Sequence, residues 1–393
     1  MQYLLKNCQT LDTTTGELTL SDLGIKGGLV VSPAALESHE VIEIDRRIVT
    51  FGLWDCHAHP GSLMYDPKNE GYFQNTAEWT IRAGRNLQDA LAMGVTGVRT
   101  TSESFGLDRA WGKAFESGSF NGPRIRSSGP GLRVTGGHGT TYPKEYREVH
   151  VEWVVDGANE MRRAARKLVE GGVDLIKVML TGGLYSEHET VEDNQFTEDE
   201  LRAVMEIANN KAIPVAAHCG GARTAELFSN LGGKSIEHGY ALDERAAEIM
   251  AKNGTWLVPT IGVTQDTLMM ELDGWPEHAK IRAQQAAARH AESLRMCIAA
   301  GVRIATGADL NPIGPRLHNE LRMLEEVGMS RMEVIHAATS GGRELNGFGS
   351  ASSPEVGAVA DLLILDENPL DDLAVFQNPT GVLVFGKFAK DWW

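Results

Sequence analysis

The sequence predicts an α/β protein whose main domain is a (β/α)8 (TIM) barrel, with a small β-sandwich domain formed from both termini. From about residue 75 onward, amphipathic helical stretches closed by glycine alternate with short apolar runs rich in β-branched residues, as in "NLQDALAMGVTGVRTT". Such alternation with short loops indicates βα units on a parallel sheet. Eight such units spread over about 250 residues form a barrel. A doubly wound open sheet is the alternative arrangement.

The candidate strands each end at a polar residue or a turn. They end near residues 55–59, Thr100, Ser127, Val178, His218, Glu237, Thr260 and Thr306. One intervening helix has a well-defined start, because Thr197 is followed three residues later by Glu200, the capping-box pattern. The order of elements therefore places eight strand ends along the chain, each followed by a loop.

Both chain ends differ from this pattern. Residues 1–50 and 345–393 contain short β-rich segments without helical periodicity, such as "IKGGLVV" and "GVLVFGKF". Neither end has enough strands to bury a core alone. We therefore expect the two ends to pair into one β-sandwich domain, with residues 51–344 forming the barrel.

The composition argues against several classes of partner. A formal net charge of −16 argues against binding to nucleic acids or anionic membranes. No apolar run reaches the roughly 18 residues of a membrane-spanning helix. The four cysteines form no CxxC pair, which is typical of a reducing compartment, and the first residues lack the pattern of a signal peptide. We expect a cytoplasmic homo-oligomer that acts on a small molecule.

The segment "DCHAH" places His57 and His59 two residues apart where the first predicted barrel strand ends. Alternate residues of a strand share a face, so the two imidazoles point the same way. A metal ion satisfies both rings at once, since neutral imidazole is a preferred ligand of zinc and similar ions. The plain alternative is a pair of surface histidines.

Other polar residues stand at the ends of the later strands, where a barrel builds its active site. They are Lys177 in "DLIKVML", His218 in "AAHCGG", His238 in "IEHG" and Asp309 in "TGAD". Each one alone has an ordinary explanation: a strand lysine reaches water with its ammonium group, and an aspartate after glycine is often a turn residue. Together with the first two histidines they predict a metal centre at one rim of the barrel.

These motifs resemble those of the amidohydrolase superfamily of metal-dependent hydrolases, and the resemblance covers nearly the whole chain. It implies a fold with a C-terminal sandwich segment and a site with two divalent metal ions, usually Zn²⁺. One ion would be held by His57, His59 and Asp309. The other would be held by His218 and His238, and Lys177, carboxylated to N6-carboxylysine, would bridge the two ions.

Within this superfamily, "IKVMLTGG" and "IEHGYALDE" resemble the branch of dipeptidases and N-acyl-amino-acid hydrolases. The chain departs from the family pattern at Phe51, where proline is usual, and at Trp54, where a small or aliphatic residue is usual. Neither change removes a ligand. The implied reaction is cleavage of a C–N bond in an amide, carbamate or lactam by a metal-bridged hydroxide, with Asp309 as general base and then general acid.

The connection from residue 126 to 149 is long and rich in glycine and proline, and such loops are often functional. Within it, His138 lies between glycines, which let a ligand approach the backbone closely. His138 either holds the loop by hydrogen bonding or donates a hydrogen bond to the substrate carbonyl oxygen. Tyr185 and Tyr240, which follow strands four and six, are candidates to bind the substrate's carboxylate or polar tail.

Two other functions are compatible with the same barrel. A mononuclear aminohydrolase (deaminase), or an imidazolonepropionase-like cyclic amidase, is the first. Such enzymes typically carry a glutamate shortly after the strand-five histidine, whereas this chain has Gly221 three residues after His218. The second is a catalytically inactive relative that serves in binding or assembly. Such relatives usually lose ligands, but all six positions are kept here.

Overall fold

The computed structural model describes residues 2–62, 74–140 and 152–390. The strands are β1 (Gln2–Leu11), β2 (Leu18–Lys26), β3 (Leu29–Val31), β4 (Glu40–Glu43), β5 (Ile48–Phe51), β6 (Leu53–Ala58), β7 (Val95–Thr100), β8 (Arg124–Arg126), β9 (Gly131–Arg133), β10 (Glu152–Val154), β11 (Ile176–Met179), β12 (Val215–Gly221), β13 (Ser235–Ala241), β14 (Trp256–Val258), β15 (Leu362–Leu365), β16 (Gly381–Val384) and β17 (Lys387–Lys390).

The α-helices are α1 (Thr76–Ala92), α2 (Leu107–Glu116), α3 (Ala158–Gly171), α4 (Glu198–Lys211), α5 (Ala222–Asn230), α6 (Glu244–Asn253), α7 (Gly262–Gln265), α8 (Thr267–Leu272), α9 (Glu277–Ala299), α10 (Ile313–Val327), α11 (Arg331–His336) and α12 (Gly342–Leu345). Residues Pro33–Ala35, Ser104–Gly106 and Leu373–Gln377 form 3₁₀ turns, and Ala337–Gly341 is π-helical. Within the described residues, none of the helices combines the length and apolar composition required to cross a membrane.

The barrel consists of parallel strands with helices on the outside. Strands β6, β7 and β8 pair in that order, and β9, β11, β12, β13 and β14 form a second run, with β10 on the outer edge of β9. The segment that follows β14 around the barrel is residues 303–309. It makes one parallel bridge, between Ile304 and Leu257, and accepts a hydrogen bond of 2.8 Å from the Cys56 amide at Thr306. This segment therefore joins β14 to β6 and stands where the sequence predicts a regular eighth strand.

Helix α4 illustrates how the helices cover the barrel. Thr197 Oγ1 accepts a hydrogen bond from the Glu200 backbone amide (3.3 Å), and the Glu200 carboxylate accepts one from the Thr197 backbone amide (2.8 Å). The predicted capping box is therefore confirmed. The helix buries Leu201, Val204 and Ala208 on one face. This face packs in the main hydrophobic core, which the barrel strands share.

The chain termini form one eight-stranded sheet. Its order is β17-β16-β15-β5-β1-β2-β3, with β4 pairing beside β5 on the same edge of β1. Leu5 and Ile25 from the N-terminal part share a buried core with Leu362 and Leu383 from the C-terminal part. Strand β5 is antiparallel to β15, and a single residue, Gly52, separates it from β6 of the barrel. The sequence-based division at 50/51 and 344/345 stays a prediction.

Candidate active site

The candidate site lies at the carboxyl ends of the barrel strands, where the backbone repeatedly adopts a left-handed conformation at non-glycine residues. Ser102, His238, Thr260 and Asp309 have φ of 124°, 71°, 47° and 64°, respectively. Such conformations are unfavourable for residues with a Cβ and collect at functional sites. At His238 the effect is direct: the left-handed turn interrupts the alternation of β13, so that the adjacent side chains of Glu237 and His238 both reach the neighbourhood of His57.

The imidazole rings of five histidines form a continuous series across this end of the barrel. The ring centroids are 5.4 Å apart for His59 and His57, 4.9 Å for His57 and His238, and 4.4 Å for His238 and His218. His138 then stacks on His218 at 3.9 Å, with 21° between the ring planes. Residues from three different strand ends (β6, β12 and β13) and one loop therefore meet in one place.

Asp309 lies beside the first two rings of this series. Its Oδ1 is 3.4 Å from His57 Nε2 and 3.1 Å from His59 Nε2. Burial raises the pKa of Asp309, but the adjacent histidines His57 and His59 outweigh burial and lower it. About 16% of the side chain is exposed, so this carboxylate contacts the histidines and is also accessible from solvent.

The second nitrogen of each ring near Asp309 is held by an acceptor. His57 Nδ1 is 2.8 Å from Glu237 Oε2, and His59 Nδ1 is 2.8 Å from the Ser102 carbonyl oxygen. Since a carboxylate and a carbonyl oxygen only accept, each of these Nδ1 atoms carries the hydrogen. Burial lowers the pKa of His59, but its hydrogen bond to Asp309 raises the pKa above the usual value, so His59 Nε2 donates to Asp309 Oδ1. In both rings Nε2 is the nitrogen on the side of Asp309.

The other two strand-end rings are held in the same manner. His218 Nε2 is 3.1 Å from the Gly182 carbonyl oxygen, and His238 Nδ1 is 2.7 Å from Thr260 Oγ1. The pKa of both rings lies well below the usual value. Burial is the largest cause in each, followed by the charge of His138 for His218 and the charge of His218 for His238. Both rings are therefore in the neutral form that binds metal ions.

Beneath the rings lies a buried ion pair that sequence reasoning missed. Glu237 Oε1 accepts hydrogen bonds from Arg99 Nη2 (2.8 Å) and Ser235 Oγ (2.6 Å), while Oε2 faces His57. Burial raises the pKa of Glu237, but the Arg99 guanidinium and the hydrogen bond from His57 lower it to about 2. Burial, followed by the charge of Lys177, lowers the pKa of His57 to about 4. Between His57 and Glu237, a neutral imidazole thus donates to a carboxylate. Arg99 inside the otherwise uncharged strand β7 was the sequence feature that could have indicated this ion pair.

Lys177 is buried on β11, with 1% of its surface exposed. Its charge contributes to lowering the pKa values of His57, His218 and His238. The structure therefore places the lysine close to the same histidines.

His138 lies beside His218 and is held by residues of the segment that follows β11. Its Nδ1 is 2.8 Å from Glu189 Oε1, and its backbone amide donates to Gln195 Oε1 at 2.8 Å. Burial alone would raise the pKa of Glu189, but the charge of His138 and its hydrogen bond lower it to about 2. Glu189 has no recognisable motif in the sequence, and it becomes visible only through this contact. Residues 141–149 of the long connection lie outside the described residues.

The two tyrosines occupy different positions. The Tyr240 ring is stacked parallel to His238, with centroids 5.0 Å apart, and it faces the edge of His218 at 6.2 Å. Burial raises the pKa of Tyr240 well above its usual value, so its hydroxyl stays protonated. The Tyr185 ring instead packs edge-on against Trp275 at 5.3 Å, and the structure does not bring it into the series of histidine rings.

The donor set fits divalent metal ions. One ligand atom from each of His57, His238 and Asp309 lies within 4.8 Å of the others, and His59 Nε2 is beside the same aspartate. Imidazoles whose second nitrogen is fixed by a carboxylate or a carbonyl oxygen are the usual arrangement at zinc sites. Nitrogen and carboxylate donors suit zinc and its neighbours in the first transition series.

The comparison with known protein families agrees with this chemistry. The model of the Amidohydrolase family matches residues 48–389. The chain belongs to the amidohydrolase family.

Its similarity to individual amidohydrolases extends over almost the entire chain. Ochratoxinase from Aspergillus niger is 32% identical in an alignment of 359 positions that covers 86% of this chain and 74% of ochratoxinase. A prolidase solved in complex with N-methylphosphonate-L-proline superposes with a TM-score of 0.89 at 31% identity, over 100% of both chains. A Xaa-Pro dipeptidase with methionine in its active site gives 0.87 at 27% identity, over 99% of this chain and 100% of the dipeptidase.

These relatives confirm the barrel with its additional domain, and this amidohydrolase is a hydrolase that acts on C–N bonds. Enzymes of the family generally use divalent metal ions, and the histidine and aspartate cluster is the candidate position for them here.

Proposed function

We propose that this amidohydrolase cleaves the amide bond of a dipeptide or an N-acyl amino acid at a centre of two divalent metal ions. The observation that supports this most is the way the rings are fixed: His57, His59 and His218 each have one nitrogen bound to a protein acceptor. This leaves the other nitrogen of each ring as the proposed metal ligand. Carbamates and lactams present the same C–N bond to such a site.

The proposed ligands are the six strand-end residues. His57, His59 and Asp309 would hold one ion, His218 and His238 would hold the other, and carboxylated Lys177 would supply oxygen donors to both, with Zn²⁺ as the proposed metal. An amine in this position needs to become an anionic oxygen donor, because an ammonium group is repelled by two dications. Bound ions supply Lewis acidity and lower the pKa of the attacking water.

Asp309 is the proposed proton carrier. It accepts a proton from the attacking water while the water oxygen forms a bond to the carbonyl carbon. It then donates that proton to the amide nitrogen as the C–N bond breaks, giving a carboxylic acid and an amine. The short distances to His57 and His59 hold the carboxylate in place for both steps.

His138 and Tyr240 are proposed to contact the substrate. His138 donates from Nε2 to the carbonyl oxygen as negative charge develops there. Because Glu189 accepts from Nδ1, a donating Nε2 implies that both ring nitrogens carry hydrogen, and the Glu189 carboxylate balances the charge. Tyr240, stacked beside His238, and Tyr185, which packs against Trp275, are proposed to bind the carboxylate or polar tail.

Metal analysis and a substrate panel test this proposal. The metal-loaded enzyme is assayed with Xaa-Pro dipeptides, other dipeptides, N-acyl amino acids including an ochratoxin, carbamates and lactams. We expect two metal ions per chain and release of an amino acid from at least one amide class. Release of ammonia from an amino-substituted ring, with one ion per chain, would instead identify a deaminase. Two bound ions without turnover of any compound would favour an inactive relative.

Cytoplasmic location and homo-oligomer formation stay predictions.

A further inference from the structure

The segment 180–196, here called the β11 loop, connects β11 to α4 and surrounds His138 on two sides. Glu189 and Gln195 both lie in this loop, and their side chains bind each other, with Gln195 Nε2 donating to Glu189 Oε2 at 3.0 Å. Glu189 also binds the His138 ring, and Gln195 binds the His138 backbone. Three hydrogen bonds thus close a triangle between one histidine and two loop residues.

The faces of the His138 ring are also enclosed. One face stacks on His218. Gly183 of the β11 loop approaches the ring so closely that a Cβ on this glycine would lie 2.2 Å from His138 Cε1. With Nδ1 held by Glu189, the ring keeps one polar atom for other contacts, Nε2. About 20% of the His138 side chain is exposed, compared with 5% of Glu189, so the ring meets solvent while its carboxylate partner is buried behind it.

The β11 loop itself is anchored to helix α9. Arg282 Nη1 donates to the carbonyl oxygen of Leu184 at 3.0 Å, and His278 Nε2 binds that of Tyr185 at 2.8 Å. Further along the helix, Arg289 forms two hydrogen bonds with Glu192, of 2.6 and 2.9 Å. The loop is therefore a fixed support, and Glu189 has a defined position relative to the barrel.

We propose that Glu189, braced by Gln195, is a positioning residue that orients the His138 ring so that Nε2 faces the substrate carbonyl oxygen. The inference rests on the proposed function of His138 and extends it to a residue outside the histidine and aspartate cluster. Glu189 touches neither substrate nor metal ligand in this role; it acts through the orientation of one ring. Displacement of a catalytic group by about 1 Å can cost about 10²-fold in rate, so a support of this kind has a measurable effect.

The decisive experiment is a double-mutant cycle with Glu189→Ala and His138→Ala. We expect each single variant to lower kcat by about 10²-fold with little change in KM, and Glu189→Ala to change kcat less than about threefold when His138 is already alanine. Glu189→Gln is expected to lose less than Glu189→Ala, because its amide oxygen still accepts from Nδ1. The matched control is Glu187→Gln, which removes an exposed carboxylate of the same loop, and it is expected to keep the kcat of the unmodified enzyme.

Two further measurements keep the test independent of turnover. In a crystal structure of Glu189→Ala, the His138 ring is expected to leave its stacked position on His218. The dissociation constant of N-methylphosphonate-L-proline, or the corresponding phosphonate of the best substrate, is expected to rise with the loss in kcat, at unchanged metal content. Equal effects of Glu189→Ala in both backgrounds, or an unmoved ring, would overturn the inference. Absence of any amide hydrolysis by the unmodified enzyme would instead refute the proposed function, and the ring position would still decide the role of Glu189.

Discussion

Replacing Glu237 by glutamine tests how the buried ion pair supports the metal centre. Three donors converge on this carboxylate: His57 Nδ1 at 2.8 Å, Arg99 Nη2 at 2.8 Å and Ser235 Oγ at 2.6 Å. A glutamine side chain offers one oxygen and one NH₂ group. If its oxygen faces Arg99 and Ser235, its NH₂ group meets the Nδ1–H of His57, and the ring avoids the clash by moving its hydrogen to Nε2. That nitrogen then no longer presents a lone pair to a metal ion.

The magnitudes follow from the same contacts. Loss of a partner that orients a metal-binding histidine typically weakens metal affinity by about 10–100-fold, or about 1.4–2.7 kcal/mol. In addition, Arg99 loses its buried counter-charge, and breaking a buried pair by removal of one partner costs about 3–5 kcal/mol of unfolding free energy. Domains generally have about 5–15 kcal/mol available, so we expect Glu237→Gln to fold with reduced stability.

The assay is a chelator competition that measures the dissociation constant of Zn²⁺, paired with denaturant unfolding of the metal-free protein. Asp361→Asn is the matched control, because Asp361 is also buried and pairs with an arginine, Arg124, but beside the terminal sheet. We expect the control to lower stability and leave zinc affinity unchanged. Unchanged zinc affinity in Glu237→Gln, or an equal loss in both variants, would refute the reasoning.

Lys177→Ala is expected to lose metal ions and most activity, with partial recovery when short-chain carboxylic acids replace the bridging group; metal analysis showing full occupancy at a normal rate would contradict this. Asp309→Asn is expected to keep much of the metal and lower kcat by about 10²- to 10⁴-fold, because asparagine tolerates the left-handed backbone at φ 64° but its amide cannot take up and release the proton; turnover at the unmodified rate would show that another group moves the proton. Burial raises the pKa of Glu320 from 4.5 to about 8, so its protonated form favours the folded state, and that contribution is present below pH 4.5 and lost as the pH rises towards about 8. Denaturant unfolding across this range is expected to show a flatter pH dependence for Glu320→Gln, and parallel curves for both proteins would exclude this assignment.

The regular parts of the fold were accessible from the sequence. Glycine-closed helices alternating with apolar runs predicted the barrel, and the start of α4 at Thr197 is confirmed by its reciprocal hydrogen bonds. The eighth strand was less accessible. Its residues 303–309 pass so close to β6 that a Cβ on Gly307 would lie 2.7 Å from His57 Cβ, and only Ile304 forms a bridge. A local apolar pattern shows that a segment is buried, but not how closely it passes its neighbour.

Within the site, the sequence pointed to residues with recognisable chemistry at strand ends, whereas their supports depend on tertiary contacts. Simple alternation on β13 directs Glu237 and His238 to opposite faces, and only the left-handed backbone at His238, φ 71°, brings both towards His57. Glu189 lies in an acidic loop segment, "SEHETVEDN", and nothing in the sequence distinguishes it from the other carboxylates of that segment. Its role emerges when two distant segments meet, which one sequence cannot show.

The terminal sheet has a consequence for how the protein is made in the cell. Strand β5 pairs with β15 from Phe51↔Leu362 to Ile48↔Leu365, so its partner is synthesised about 310 residues later. At translation rates of about 5–20 residues per second, the edge of β5 waits roughly 15–60 s for that partner. During this interval the buried side chains of Ile48, Val49 and Phe51 lack their final cover. Nascent chains shorter than about 365 residues are therefore the forms most exposed to aggregation and to chaperone binding.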